Sequence, residues 1–233
     1  MTFDLVGIDG DDTLWHCQRD FDAATEQFAL IVEPWVADQQ VLSHALDTTE
    51  RNNLTVFGFG VKTFALSMVE AAIEATNGRI PARELSRLVE LAKSMMTGDV
   101  EVFSGVSSTL EGLAEQHRLV LVTKGDLLHQ RRKLASSGLA DYFHHIEIVP
   151  DKTPAIYAEV LRRQDVAPHR FVMVGDSAKS DVIPVLAIGG RAVHVPSHHL
   201  WSHEHAELAV GTPTAGQFSD VPGLLADLML RAS

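Results

Sequence analysis

The segment Asp9-Gly10-Asp11-Asp12-Thr13-Leu14 decides the fold of this 233-residue chain. It follows Phe3-Asp4-Leu5-Val6-Gly7-Ile8, whose apolar character predicts a buried strand over residues 5–9. Asp and Gly are poor strand formers, so the strand is expected to stop where these carboxylates begin. Like charges crowded at one strand end repel each other, and a bound cation would relieve that repulsion. Mg²⁺ suits such a site, because it takes carboxylates together with phosphate oxygens.

The composition is that of an acidic globular protein. The hydrophobic share of 45% and the charged share of 21% argue against disorder, and no apolar run reaches membrane-spanning length. The net charge of −12 disfavours a nucleic-acid polymer as partner, because binding to a phosphate backbone requires a basic surface. The N-terminus shows no secretory signal, and the single cysteine, Cys17, fits a reducing compartment. We therefore expect a cytoplasmic protein without a membrane partner.

Short β-branched runs alternate with helical patterns at the start of the chain and throughout its second half. This alternation predicts an α/β fold with a doubly wound, Rossmann-like parallel sheet, formed by residues 1–15 and 101–233. The predicted strands are residues 5–9, 119–123, 146–149, 171–175 and 192–195. The predicted helices between them are residues 107–115, 129–136, 154–164 and 180–186. Sites in such sheets form outside the carboxyl ends of the strands.

Residues 16–100 break the alternation and predict an inserted, all-helical cap domain. Helical periodicity covers residues 21–46, 62–75 and 81–96. Turn signals fall at Asn52-Asn53, at residues 58–60 and at Asn77-Gly78. An insertion directly after a site-bearing strand end is expected to overhang the site.

Further polar residues follow the ends of three later strands. Thr123-Lys124-Gly125-Asp126 offers a hydroxyl and backbone N–H groups for an anionic oxygen, Lys152 precedes a helix, and Gly175-Asp176 is followed by Asp181. Taken singly, these residues also suit helix caps or solvated charges, and the first segment suits a solvated turn. Their common placement at successive strand ends favours one composite site over unrelated turns.

This arrangement resembles the haloacid dehalogenase (HAD) superfamily of phosphohydrolases across essentially the whole chain. Asp9-x-Asp11-x-Thr13 is similar to the first family motif, Thr123 to the second and Lys152 to the third. Gly175-Asp176 with Asp181 is similar to the fourth motif. The helical insertion resembles the C1-type cap of the family in its position.

The resemblance implies a role for each matched residue. Asp9 would be the nucleophile that forms an aspartyl-phosphate, and Asp11 the general acid and base. Thr123, Lys124 and Lys152 would hold the phosphoryl oxygens. Mg²⁺ would bind Asp9, the main-chain carbonyl of Asp11, and Asp176, while Asp181 would act through water or by orienting Lys152.

Asp11 separates the reaction classes, because family dehalogenases attack carbon and use no acid at this position. The resemblance thus implies a Mg²⁺-dependent phosphatase for a small phosphorylated metabolite such as a sugar phosphate, a phospho-acid or a nucleoside monophosphate. A phosphomutase or phosphotransferase would use the same motifs. A non-catalytic binding protein on the same fold is the third alternative, although both Asp9 and Asp11 are present.

Two further features have two interpretations each. Within the insertion, Phe57, Phe59 and Lys62 form either a substrate-specificity loop, with Lys62 facing an anionic group, or a packed corner between helices. Near the C-terminus, the pattern favours a polar surface loop over a second metal site or a charged rim near the substrate, because no ligand spacing is clean. The histidines concerned are His194, His198, His199, His203 and His205.

Overall fold

The structure is a computed structural model that describes residues 2–36, 39–197, 201, 204 and 206–231. The chain divides into two compact units. One consists of Met1–Gln18, Val100–Lys124 and Lys133–Ser233, and the other of Arg19–Asp99 and Gly125–Arg132. Among the described residues, no helix combines the length and the apolarity that crossing a bilayer requires.

The first unit is organised by a five-stranded parallel sheet in the order β3-β2-β1-β4-β5. Its strands are β1 (Leu5–Ile8), β2 (Arg118–Lys124), β3 (His145–Val149), β4 (Phe171–Gly175) and β5 (Arg191–His194). β1 lies in the middle, with Ile8 aligned to Leu121 on β2 and to Val174 on β4. This topology confirms the predicted α/β class.

Helices follow the strands along the chain. The first four, α1 (Gln18–Val32), α2 (Gln39–Phe57), α3 (Val61–Ala75) and α4 (Ala82–Thr97), are inserted between β1 and β2. The later ones are α5 (Val106–Ala114), α6 (Leu127–Ser137), α7 (Pro154–Gln164), α8 (Ile183–Ala187) and α9 (Val221–Arg231). The helical insertion after β1 is therefore present as predicted.

Alternate residues of each central strand enter two separate apolar cores, because successive side chains of a strand point to opposite faces. One core includes Val6, Ile8, Leu119, Leu121, Val172 and Val174, packed with residues of α5 and α9. The other includes Leu5, Val120, Val122, Phe171 and Met173, packed with residues of α7. Burial on both faces explains why the strands read as continuous apolar runs, as parallel strands do.

The second unit has its own apolar core, built from α1–α4 around residues such as Phe28, Phe64 and Leu88. Two local predictions there are wrong. The turn predicted at Asn52-Asn53 lies inside α2, because the buried Asn53 amide donates to Ser67 Oγ (3.1 Å) and Glu70 Oε2 (3.0 Å). The periodic stretch over residues 21–46 is interrupted by a 3-10 turn over Glu33–Trp35, which contains a proline in its first turn.

Candidate functional site

The candidate site lies at the carboxyl ends of the central strands. Asp9 directly follows β1, and its backbone N–H continues the ladder by donating to Val174 O (2.9 Å). Asp176 directly follows β4, and Asp181 lies in the π-helical turn Ala178–Val182 that comes next. Because β1 and β4 are parallel neighbours, their carboxyl ends bring these three aspartates to one edge of the sheet.

The three aspartates form a buried acidic cluster. Each of Asp9, Asp176 and Asp181 offers a carboxylate oxygen within 4.8 Å of the others. Burial raises the pKa of Asp9 to about 6, against the opposing charge of Lys152. Burial also raises the pKa of Asp176 above its usual range, and the charge of Asp9 adds to that rise. The cluster therefore holds excess negative charge, and its oxygen-only donor set fits a hard divalent cation.

Lys152 supplies positive charge inside this cluster. Its ammonium donates to Asp9 Oδ1 and to Asp181 Oδ1, the latter at 2.6 Å, and its side chain is 2% exposed. Burial acts to lower the pKa of Lys152, but the carboxylates of Asp181 and Asp9 outweigh it and raise the pKa well above the usual value. Lys152 thus stays charged and is shared between two of the aspartates.

Asp181 is held firmly in place. Its Oδ2 accepts from the Ser177 N–H (3.1 Å), and the Tyr157 hydroxyl lies 3.4 Å from its Oδ1 while donating to Ser180 O at 3.0 Å. A Cβ on Gly175 would come within 2.3 Å of Asp181 Cγ, so the close approach of Asp181 to β4 requires glycine there. Asp181 thus meets Lys152 from a held position, and an orienting role for it stays a prediction.

Thr13 connects the two strand ends, a role that the sequence motif alone did not assign. Its hydroxyl accepts from the Asp176 N–H (3.0 Å) and lies 3.2 Å from Asp9 Oδ2 and 3.4 Å from Asp176 Oδ1. The hydroxyl can donate its single proton to one carboxylate at a time. Thr13 therefore fixes the spacing between the loops after β1 and β4.

Thr123, near the end of β2, carries a buried hydroxyl without a hydrogen-bond partner among the described residues. The side chain is 1% exposed, and a buried polar atom left unpaired is costly unless a ligand completes it. Thr123 lies two residues beyond Leu121, the partner of Ile8 in β1. Its placement fits the predicted contact with an anionic oxygen.

Lys124, predicted alongside Thr123 to hold phosphate, is engaged elsewhere. Its ammonium donates to Ser180 Oγ (2.9 Å) and to Glu204 Oε1. Burial alone would raise the pKa of Glu204, but Lys124 and the hydroxyls of Ser177 and Ser180 lower it below the usual range. The structure thus places Lys124 in an ion pair next to the acidic cluster, and a phosphate contact stays a prediction.

Asp11 is bound by two residues that the sequence analysis missed. Trp15 Nε1 donates to Asp11 Oδ1 (2.6 Å), and the Lys133 ammonium donates to the same oxygen. Lys133 lies on α6, where it is 6% exposed. Its sequence neighbours Arg131 and Arg132 are exposed, so only the register of the helix distinguishes Lys133 from an ordinary solvated cation.

The predicted specificity residues belong to the connection between α2 and α3. Phe57 ends α2 and is 56% exposed, whereas Phe59 is partly buried. Lys62 lies in the first turn of α3, where Asp126 accepts from its backbone N–H (3.0 Å) and pairs with its ammonium (3.1 Å). A Cβ on Gly60, which has φ +128°, would come within 2.6 Å of Asp126 Oδ2.

The histidine-rich segment is only partly described. His194 ends β5, and its Nε2 lies 2.8 Å from Asp176 O, next to the acidic cluster. The other four residues, His198, His199, His203 and His205, lie outside the described residues.

A parallel sheet of this order, a helical insertion after its first strand and acidic residues at its strand ends define a class of hydrolases. Residues 3–189 match the haloacid dehalogenase-like hydrolase family. The chain belongs to this family, as the sequence motifs predicted.

Comparison with individual proteins supports the same family. A haloacid dehalogenase-like family hydrolase from Xanthomonas campestris is 40% identical, with a TM-score of 0.85 over 99% of this chain and 95% of that one. The N-acylneuraminate-9-phosphatase of Rattus norvegicus is 30% identical over 129 residues, 53% of this chain and 52% of the relative. The pyrimidine 5′-nucleotidase PynA of Streptococcus pneumoniae is 27% identical over 114 residues, 46% and 48% of the two chains. The chain thus spans about half the length of the curated relatives it matches.

Proposed function

We propose that this protein is a Mg²⁺-dependent phosphatase that hydrolyses a small phosphorylated metabolite through an aspartyl-phosphate intermediate. The observation that carries the proposal is that the two carboxylates of the first motif, Asp9 and Asp11, have different binding partners. Asp9 lies in the acidic cluster beside Lys152, whereas Asp11 is bound by Trp15 and Lys133. A nucleophile and a separate acid–base group are what two-step phosphoryl transfer requires.

In the first step, an Asp9 carboxylate oxygen attacks phosphorus. The bond from phosphorus to the ester oxygen breaks, and its electron pair goes to that oxygen, which takes a proton from Asp11. The products are the free alcohol and the phosphorylated Asp9. Lys152 contacts Asp9 directly and would stabilise negative charge on the phosphoryl oxygens as it redistributes in the transition state.

In the second step, water attacks the phosphorus of the aspartyl-phosphate. Asp11 takes a proton from this water, the bond between phosphorus and Asp9 breaks, and inorganic phosphate leaves. Asp9 is thereby restored as a carboxylate, and Asp11 regains the proton that the next turnover requires. The same residue serves as acid and then as base because it faces the same position in both steps.

Asp9, Asp176 and the main-chain carbonyl of Asp11 would hold the magnesium ion, with Asp181 contributing through water or through Lys152. When bound, the ion neutralises charge that would otherwise oppose the approach of an anionic ester to an anionic nucleophile. Burial raises the pKa values of Asp9 and Asp176, and repulsion from neighbouring aspartates adds to the rise, which supports a cation as the counter-charge for these carboxylates. The Thr123 hydroxyl, which has no hydrogen-bond partner within residues 2–36, 39–197, 201, 204 and 206–231, supports a phosphoryl oxygen as its partner.

We further propose that residues 16–100 act as a cap domain that selects the substrate, while residues 1–15 and 101–233 form the catalytic core. The connection with Phe57, Phe59 and Lys62 is the candidate for substrate contact. The exposed side chain of Phe57 offers an apolar surface. The ammonium of Lys62 would leave its ion pair with Asp126 and pair with an anionic group of the substrate instead. The proposed activity is that of a cytoplasmic protein without a nucleic-acid polymer or a membrane as partner.

The names of the relatives indicate which substrates to try first. The alignments with an N-acylneuraminate-9-phosphatase and with a pyrimidine 5′-nucleotidase each cover about half of the relative's length. An acylated sugar-acid 9-phosphate and the pyrimidine nucleoside 5′-monophosphates therefore lead the panel, followed by simple sugar phosphates and phospho-acids.

Phosphate release from this panel, with and without Mg²⁺, tests the proposal. The wild type is compared with Asp9→Asn, a near-isosteric change that removes the nucleophile, and with Asp99→Asn at an exposed position as the matched control. We expect Mg²⁺-dependent release that Asp9→Asn abolishes and Asp99→Asn retains. An isomerised or transferred phosphoryl group without free phosphate would indicate a mutase or phosphotransferase. Folded wild type without turnover of any kind would favour a binding role.

A further inference from the structure

We propose that Lys133, together with Trp15, is a positioning residue that fixes the orientation of Asp11 for proton exchange with the leaving oxygen. The inference rests on the proposed phosphatase function, in which Asp11 is the acid and base. It concerns residues outside all four sequence motifs, and Lys133 is 122 residues away from Asp11 along the chain.

The burial of Lys133 follows from the register of α6. His129, Gln130, Lys133 and Leu134 form the buried face of this helix at helical spacing, and Arg131 and Arg132 are exposed between them. A lysine is seldom buried unless a counter-charge is present, and here that counter-charge is Asp11. The ammonium also lies 3.6 Å from Cys17 Sγ, so it contacts two residues of the segment that follows β1.

Trp15 provides the second donor from a tight loop. The ring is fully buried, and a Cβ on Gly10 would come within 2.6 Å of it, so ring and loop backbone are in close contact. The loop is closed by backbone bonds from Asp12 N to Trp15 O (2.8 Å) and from Leu14 N to Gly10 O (2.8 Å). The indole N–H is therefore a rigid donor.

Both donors reach the same oxygen of Asp11, Oδ1. Two donors from separate elements of the chain, bound to one carboxylate oxygen, restrict rotation about the Cβ–Cγ bond more than either would alone. A proton donor must point at the oxygen it protonates, and a displacement of about 1 Å can cost about 10²-fold in rate. Lys133 and Trp15 would thus act on catalysis through the geometry of Asp11, without contact to substrate.

The leaving group distinguishes this role from simple stabilisation of a buried carboxylate. An alkyl phosphate needs its leaving oxygen protonated, whereas p-nitrophenyl phosphate releases an acidic phenol that leaves without a proton. Because Asp11 also acts as base in the second step, the informative quantity is the pre-steady-state burst of alcohol or phenol, which reports the first step alone. Loss of the proton donor should slow only the alkyl burst.

The experiment measures both bursts for wild type, Lys133→Met and Asp11→Asn, with Arg132→Met as the exposed control. We expect Lys133→Met to slow the alkyl burst about 10²-fold, as misplacement of a catalytic group does. The p-nitrophenol burst and the KM for either ester should stay close to wild type. Asp11→Asn should show the same selectivity, and Arg132→Met should change neither burst.

Two more variants keep the test informative if Lys133→Met does not fold. Lys133→Arg retains a cation and should restore most of the alkyl burst, while Trp15→Phe removes one donor and should slow the alkyl burst selectively. An equal loss of both bursts in Lys133→Met, or an alkyl burst unchanged in both Lys133→Met and Trp15→Phe, would overturn the positioning role. Failure of the proposed function is distinguishable, because the wild type would then release no phosphate from either ester.

Discussion

Replacing Lys152 by methionine removes the cation at the centre of the acidic cluster and should destabilise the fold strongly. At 2.6 Å, the Lys152–Asp181 pair attracts by about 6 kcal/mol at an effective dielectric constant of about 20. The free-energy cost of removing the Lys152 ammonium from water offsets much of that attraction. Deleting one partner of a buried pair leaves the other charge uncompensated, so we expect the free energy of unfolding to fall by about 3–5 kcal/mol.

The matched control is Lys93→Met. Lys93 pairs with Glu90 at the same distance of 2.6 Å, but the side chains are 65% and 69% exposed. Solvent screens such a pair, and its loss should change the free energy of unfolding by about 0.5 kcal/mol or less. The two variants therefore remove the same type of contact and differ in burial.

The pH dependence of the stability loss in Lys152→Met tests this reasoning. Burial raises the pKa of Asp9 to about 6, so acid protonates Asp9 in the folded protein before it protonates an aspartate in the unfolded chain. Lys152 acts to lower the pKa of Asp9, so Lys152→Met should raise that pKa further, and the stability deficit of the variant should shrink as the pH falls from 8 to 5. Urea unfolding in Mg²⁺-free buffer at several pH values measures the deficit. Equal losses in Lys152→Met and Lys93→Met, or a deficit that grows in acid, would refute the reasoning.

Three further outcomes are expected. Burial raises the pKa of Glu50 to about 7, so between pH 5 and pH 8 the free energy of unfolding should fall by up to about 3 kcal/mol, and Glu50→Gln should remove that slope in urea titrations. Gly60→Ala, whose Cβ would collide with Asp126, should cost about 3 kcal/mol against about 1 kcal/mol for Gly58→Ala, which meets no atom within 4 Å. Mg²⁺ at a hundredfold excess over its Kd should stabilise the wild type by about 2.7 kcal/mol in thermal unfolding and leave Asp176→Asn unshifted.

Local signals predicted the core elements well where burial and chain punctuation agree. The predicted strand over residues 171–175 is β4, and the predicted helix over residues 154–164 is α7, residue for residue. In α7 the cause is visible, because the Thr153 hydroxyl accepts from the Ile156 N–H and Pro154 occupies the first turn. Asn52-Asn53 shows the opposite case, in which tertiary hydrogen bonds override a turn propensity.

The placement of Asp9, Asp176 and Asp181 could also be anticipated, because parallel strands bring their carboxyl ends to one edge of the sheet. The partners of Lys124 and Lys133 could not be anticipated, whereas the family resemblance had already linked Lys152 with Asp181. Lys152 binds Asp9 and Asp181, Lys124 binds Glu204, and Lys133 binds Asp11. The residues next to each lysine in the sequence do not indicate this choice of partner. A lysine has a long, flexible side chain, so only the packing of the elements around it selects which carboxylate it meets.

The amino-acid sequence by itself determined the α/β class, the helical insertion and the acidic strand ends, because hydrophobic periodicity and turn chemistry act over a few residues at a time. The tertiary structure alone decided that Thr13 links two aspartates and that Lys133 and Trp15 converge on Asp11. It also decided that the Thr123 hydroxyl finds no hydrogen-bond partner in the described part of the chain. These contacts join residues from separate segments of the chain, and their geometry exists only once the sheet and its helices have packed.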